Sequence, residues 1–244
     1  MSSVQVDHLT KSFGDLLVLN DISFNVGDGE FLCIVGPTGC GKTTFLNSMT
    51  GIYEISSGSI RINEEKVNLK KHSLAYIMQE YSTMSWLNVR ENVRFGLEIK
   101  QLPKKEIEEK TDRALTLVGL KEFEKYYPNQ LSASMLQRVA IARAFAVEPD
   151  LLLMDEPYGQ LDLELRFKLE DELLNIWRKL GTTVIFITHN IEEAVYLSQR
   201  ILVLTNKPTT IKENIINDLP YPRKVTDEKF IELRERVTSL IKWW

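Results

Sequence analysis

Phe31-Leu32-Cys33-Ile34-Val35 runs directly into Gly36-Pro37-Thr38-Gly39-Cys40-Gly41-Lys42-Thr43-Thr44. Five apolar residues in a row read as a strand buried on both faces. The segment behind them matches G-x-x-x-x-G-K-[ST], a loop whose glycines let successive backbone N–H groups turn inward around an anion. A helix predicted to follow adds its positive N-terminal end. Lys42 supplies a mobile ammonium for the β- and γ-phosphates of a nucleotide, and the Thr43 hydroxyl suits the coordination sphere of Mg²⁺. Strand, phosphate loop and helix in this order predict an α/β P-loop NTPase.

A second run, Leu151-Leu152-Leu153-Met154, ends in Asp155-Glu156. The carboxylates are expected at the C-terminal edge of a strand, where open α/β sheets bind ligands. Asp155 is predicted to hold Mg²⁺, mostly through water, and Glu156 to orient and deprotonate the water that attacks the γ-phosphate in line.

Further strand signals lie at residues 4–9, 16–19, 22–26, 59–62 and 75–77. Apolar runs at 184–187 and 201–204 join 151–154 as expected central parallel strands. Leu163 to Leu180 carries apolar residues at helical spacing, with Gly181 placed to end the helix. Residues 82–146 turn helical and read as an inserted helical subdomain. From Thr226 onward, Phe230, Leu233, Val237, Leu240, Ile241 and Trp244 share one helical face, which is expected to pack rather than lie open.

The chain has 244 residues, 43% hydrophobic and 26% charged, the usage of an ordinary globular protein rather than a disordered or fibrous one. Thirty basic against 34 acidic residues give a net charge of −4, which supplies no global positive field for nucleic acid. No apolar stretch reaches the roughly 18 to 20 residues that span a bilayer, and the start MSSVQVDHLT lacks a secretory apolar run, so a cytoplasmic chain is expected. Cys33 and Cys40 lack metal-ligand or redox spacing and read as reduced packing residues.

With both phosphate-site halves in place, the chain resembles the ATP-binding subunits of ABC transporters over nearly its whole length. The resemblance implies an ABC-type ATP-binding domain spanning 1–244, with a mixed or parallel sheet core, an N-terminal antiparallel β subdomain, the inserted helical subdomain near 82–146 and a C-terminal helix at 226–244. Gln79 matches the family's Q-loop glutamine, which reaches the Mg²⁺ and the attacking water. Leu131-Ser132-Ala133-Ser134-Met135 resembles the signature segment, Tyr158-Gly159-Gln160-Leu161-Asp162 the D-loop, His189 the switch histidine at the γ-phosphate, and Phe13 the aromatic that stacks on adenine. Nucleotide-binding positions implied in this way are Phe13, the loop from Gly36 to Thr44, Ser132, Ser134 and Asp162. The resemblance likewise implies Thr43, Gln79 and Asp155 as Mg²⁺ ligands, and Glu156, His189 and Gln79 as catalytic positions.

The resemblance also implies partners. Two ATP-binding subunits face each other head to tail, each ATP lying between one chain's phosphate loop and the other's signature. Membrane-spanning permease subunits are driven by that closure, and an extracytoplasmic solute-binding protein delivers the solute, which puts this chain at the cytoplasmic face of the membrane as a peripheral subunit. Residues 84–93, 186–190 and Asp218-Leu219-Pro220-Tyr221-Pro222-Arg223 resemble the nitrate, sulfonate, taurine and pyrimidine-precursor importers.

The signature departs from the family pattern, because Ala133 and Ser134 replace glycines that permit close backbone approach. Two arrangements stay open at this point: a working homodimer, or a heterodimer in which this chain's signature is deficient or regulatory. A non-transport ABC ATPase acting on DNA or ribosomes is a third class. The compact interval between the phosphate motifs, the single phosphate loop and the net acidity argue against it.

Overall fold

The structure, a computed structural model, describes residues 3–68, 71–80, 82–159 and 161–241. In chain order its elements are β1 (Val4–Phe13), β2 (Leu16–Val26), β3 (Phe31–Val35), α1 (Lys42–Met49), β4 (Ser57–Ile62), β5 (Glu65–Lys66), β6 (Leu74–Ile77), α2 (Val89–Ile99), α3 (Lys104–Leu117), α4 (Ala133–Ala146), β7 (Leu151–Asp155), α5 (Leu163–Leu180), β8 (Thr183–Ile187), α6 (Ile191–Leu197), β9 (Arg200–Leu204), β10 (Ile211–Ile216) and α7 (Glu228–Leu240). Two single turns of 3₁₀ helix lie between α3 and α4. The chain divides into two compact units, residues 1–72 with 181–244, and residues 73–180.

In the first unit β1 pairs antiparallel with both β2 and β4, and β5 extends the sheet beyond β4. The runs 16–19 and 22–26, expected as separate strands, are one strand. Leu19 stands opposite Lys11 and Ile22 opposite Leu9, so β2 carries one extra residue between them. Asp21 takes that bulge with φ of 53°, its N–H donating to Thr10 Oγ1 at 3.2 Å, and the strand continues instead of turning back.

The same unit also holds parallel strands. β3 lies between β8 and β9, with Phe31 opposite Val184 and Leu32 opposite Arg200. Every residue of β3 and β8 is buried, as their unbroken apolar sequences require. β10, which the sequence reading passed over, pairs antiparallel with β9. On α7, Phe230 and Val237 are buried, and so is Ile241 just beyond the helix, while Leu233 and Leu240 are half-buried. The C-terminal face is therefore packed, Trp244 lying outside the described residues. Cys33 and Cys40 are both buried and form no disulfide.

In the second unit β6 and β7 run parallel, in register from Leu74 opposite Leu151 to Ile77 opposite Met154. α2, α3 and α4 pack on one another, and their Val93, Leu97, Ile107, Leu115, Val139 and Ile141 are all buried. α2 opens on a capping box in which Asn88 accepts from Glu91 N–H and Glu91 accepts from Asn88 N–H. Fully buried Asn92 ties down the preceding loop, accepting from Met84 N–H and donating to the carbonyls of Met84, Leu87 and Asn88. No helix among the described residues is long and apolar enough to cross a membrane.

Candidate functional site

In the first unit the phosphate loop leaves the C-terminal end of β3 and enters α1 at Lys42, with Gly41 as the residue before the helix. Gly41 has φ of 116°, and a Cβ there would stand 2.8 Å from Val18 Cγ1 and 3.1 Å from Leu19 Cδ2. Conformation and space both demand glycine, and the loop is thereby seated against β2. The Lys42 ammonium, buried with its side chain, donates to the carbonyls of Gly36 and Pro37 at 2.9 and 3.0 Å. These bonds curl the loop about a single positive charge. Thr43 is exposed on the first turn of α1.

Cys40 sits inside the loop, with its carbonyl accepting from the Thr209 hydroxyl. Burial pushes its thiol above the ordinary range, while the charge of Lys42 pulls the other way. The thiol therefore stays protonated and acts as packing, which agrees with its sequence reading.

Phe13 ends β1 half-open to solvent. Its ring meets Tyr53 edge to face, with centroids 5.3 Å apart and planes at 87°, and Lys11 Nζ lies 4.5 Å from its centroid. Tyr53 gave no local signal in the sequence, since the turn after α1 brings it to Phe13 from 40 positions away, whereas Lys11 lies two positions before Phe13 on β1.

His189 follows β8 and precedes α6, exposed at a corner whose neighbours are tied down. The Thr188 hydroxyl donates to Glu193 Oε2 at 2.6 Å and accepts from Asn190 N–H at 2.9 Å. Asn190 caps α6 by accepting from the N–H groups of Glu192 and Glu193.

In the second unit Asp155 is the last residue of β7 and is 1% exposed. Glu156, next in the chain, has φ of 47°, in the left-handed region that costs a side-chain-bearing residue about 1–3 kcal/mol. Gln79 Nε2 donates to Glu156 Oε2 at 3.4 Å, which leaves the amide oxygen as an acceptor group. The Asp155 carboxylate and the Gln79 amide oxygen of this unit are hard oxygen donors, and so is the Thr43 hydroxyl of the first unit, chemistry that suits Mg²⁺ rather than a softer metal.

Ser132 caps α4, accepting from Met135 N–H at 3.3 Å, and its hydroxyl lies 3.1 Å from that of Ser134. Ala133 and Ser134 form the first turn of the helix. Asp162 accepts from Leu165 N–H at 2.9 Å and so caps α5.

Residues 19–159 match the ABC transporter family. The chain belongs to that family. It is 42% identical over 243 residues, 98% of this chain and 91% of the other, to an uncharacterized ABC transporter ATP-binding protein of Methanocaldococcus jannaschii. It is 41% identical over 236 residues, 97% and 93% of the two chains, to the aliphatic sulfonates import ATP-binding protein SsuB of Bacillus cereus. Among solved structures, a dimeric ATP-binding cassette in a post-hydrolysis state bound to ADP and Pi superposes with a TM-score of 0.81 at 27% identity, over 89% of this chain and 100% of that one.

This ABC protein is thus an ATP-binding subunit and an ATPase, with the P-loop ABC fold expected from its sequence. Its altered signature takes on a definite meaning in the helix. Ala133 and Ser134 both adopt helical backbone, which any L-residue tolerates, so neither position depends on the positive φ that would have required glycine.

Proposed function

We propose that this ABC ATPase energises an importer for a small solute, working at the cytoplasmic face of the membrane against permease subunits. The likeness to an aliphatic sulfonates import protein supports a solute of the sulfonate, taurine or nitrate kind, or a pyrimidine precursor. Other proteins choose that solute: an extracytoplasmic binding protein and the permease.

On this reading Lys42 and the N–H groups from Gly36 to Thr44 hold the β- and γ-phosphates, and Phe13 stacks on the adenine. Thr43, Gln79 and Asp155 are the residues that would hold Mg²⁺, which when bound offsets charge on the phosphate oxygens. Glu156 accepts a proton from water as its oxygen bonds to the γ-phosphorus, and the bond from phosphorus to the β–γ bridging oxygen breaks. ADP leaves with that oxygen, and phosphate with the water's. Gln79 orients Glu156 and the water, and His189 donates to a γ-phosphate oxygen. Ser132, Ser134 and the N-terminal N–H groups of α4 serve the ATP of a second copy, with Asp162 at the same interface. ATP then acts as a ligand that favours the closed pair, and hydrolysis reopens it.

The bond from Gln79 to Glu156, on a carboxylate held at a strained backbone position directly after Asp155, is the observation that carries this reading. Glu156→Gln tests it. ATP binding is expected to persist while turnover falls at least about 100-fold. Turnover near that of the unaltered protein overturns the general-base role.

A further inference from the structure

The segment from Asn217 to Arg223 closes over the C-terminal end of α6. A helix leaves its last four carbonyls without partners, and here side chains from this one segment meet those of Val195, Tyr196, Leu197 and Ser198. Arg223 Nη1 donates to Val195 O at 2.7 Å, Tyr196 O at 3.0 Å and Ser198 O at 2.7 Å. Asn217 Nδ2 donates to Val195 O at 2.9 Å and Ser198 O at 2.8 Å, and the Tyr221 hydroxyl donates to Leu197 O at 2.6 Å. Arg223 Nε and Nη2 return to the segment itself, at Leu219 O and Asn217 O, which locks the guanidinium in place. The guanidinium carbon lies 4.0 Å from the centroid of the Tyr221 ring, and Arg223 is 6% exposed. So buried a cation is stable because its donors are spent on carbonyls at the negative end of a helix dipole.

The other end of α6 begins at Ile191, two residues after His189. Asn190, Thr188 and Glu193 hold that end as described above, and Arg234 of α7 adds an ion pair to Glu192 at 3.1 Å. α6 has only seven residues, a rod of about 10 Å at 1.5 Å per residue. A rod so short moves as one piece, so the bonds at its far end help to set the orientation of the end next to His189.

We propose that Arg223, with Tyr221 and Asn217, is a positioning residue for His189, acting through α6. The inference rests on the reading that His189 meets the γ-phosphate. Only arginine fits the role, since a lysine ammonium cannot span carbonyls of the helix and of residues 217–219 in one planar fork.

Arg223→Lys in the full chain is the test, read in two ways. The chain has three histidines, so the imidazole NMR signals of His8, His72 and His189 are few and assignable by single substitutions. The His189 signal is expected to shift or broaden while those of His8 and His72 stay put. Turnover is expected to fall about 10-fold with KM for ATP within about two-fold, as displacement of a catalytic group by a fraction of an ångström produces. In a His189→Gln background, single-turnover rates with and without Arg223→Lys should coincide. A variant that melts earlier yet keeps its His189 signal and its turnover overturns the inference, and so does an equal loss of rate in both backgrounds. Full turnover in His189→Gln alone overturns instead the reading of His189 on which the inference stands. Should Arg223→Lys fail to fold, Tyr221→Phe removes the bond to Leu197 O and spares the guanidinium. The same His189 shift is expected there, and an unmoved signal counts against the proposal.

Discussion

Gln79 and Glu156 are 77 residues apart in the chain, yet Gln79 Nε2 donates to Glu156 Oε2 at 3.4 Å. The register of two parallel strands produces this pairing. Ile77 stands opposite Met154, and both residues lie two positions beyond that pair, so they emerge side by side. Glu156 takes left-handed backbone at this position, with φ of 47°.

Gln79→Ala removes the group that orients the base and leaves Lys42 and the phosphate loop untouched. Turnover is expected to fall about 10-fold or more, with ATP affinity within a few-fold. Steady-state ATPase kinetics alongside equilibrium nucleotide binding would separate the two. A matching loss in both quantities would show that Gln79 serves the fold of the site instead.

Gly41→Ala places a methyl 2.8 Å from Val18 Cγ1 at a φ of 116°. The loop must shift away from β2, costing about 2 kcal/mol or more. ATP binding should be lost along with that stability, and chemical denaturation with a nucleotide-binding assay would register both. Unchanged binding would show that the seat against β2 does not shape the cradle.

Acid should loosen the helical unit through Arg90, which pairs with Glu108, Asp112 and Glu124. Hydrogen bonds from Arg90 hold Glu108 below the usual carboxylate range, and bonds from Lys121 and then Arg90 do so for Asp112. At Glu124 burial pushes upward, but Lys121 and Arg90 outweigh it and its shift is also downward. Folded-state values below the unfolded ones mean that these groups stabilise the protein above about pH 4, and that the contribution disappears as pH falls through the folded values. The pairs are partly exposed, so solvent screening reduces the effect. Arg90→Met should therefore cost most stability near neutrality, and its difference from the unaltered protein should narrow between about pH 5 and pH 3. A constant difference across that range, measured by urea denaturation, would assign the effect to packing alone.

The phosphate loop and the carboxylates after β7 were legible because an unbroken apolar run before a polar turn has few other readings. Leu163 to Leu180 was legible end to end, since its period and its closing glycine agree. β2 was misread as two strands, because a polar Asn20-Asp21 interruption looks like a turn until its bulge is paired across to Thr10. β10 escaped notice because Lys212, Glu213 and Asn214 interrupt its apolar residues, and pairing with β9 supplies what its sequence lacks. Arg223 stood in a segment singled out by resemblance, but its work is done on backbone carbonyls, which no side-chain pattern reveals. Tyr53 was hidden for a similar reason, its contact with Phe13 being made across the fold.

The central claim is that two copies of this chain close on ATP through a signature whose Ala133 and Ser134 sit in ordinary helix. The mass of Glu156→Gln in solution, with and without Mg-ATP, tests it most directly, because blocked hydrolysis preserves any closed pair. A change from monomer to dimer on adding Mg-ATP is the predicted result. A protein that binds ATP and remains a monomer would contradict it.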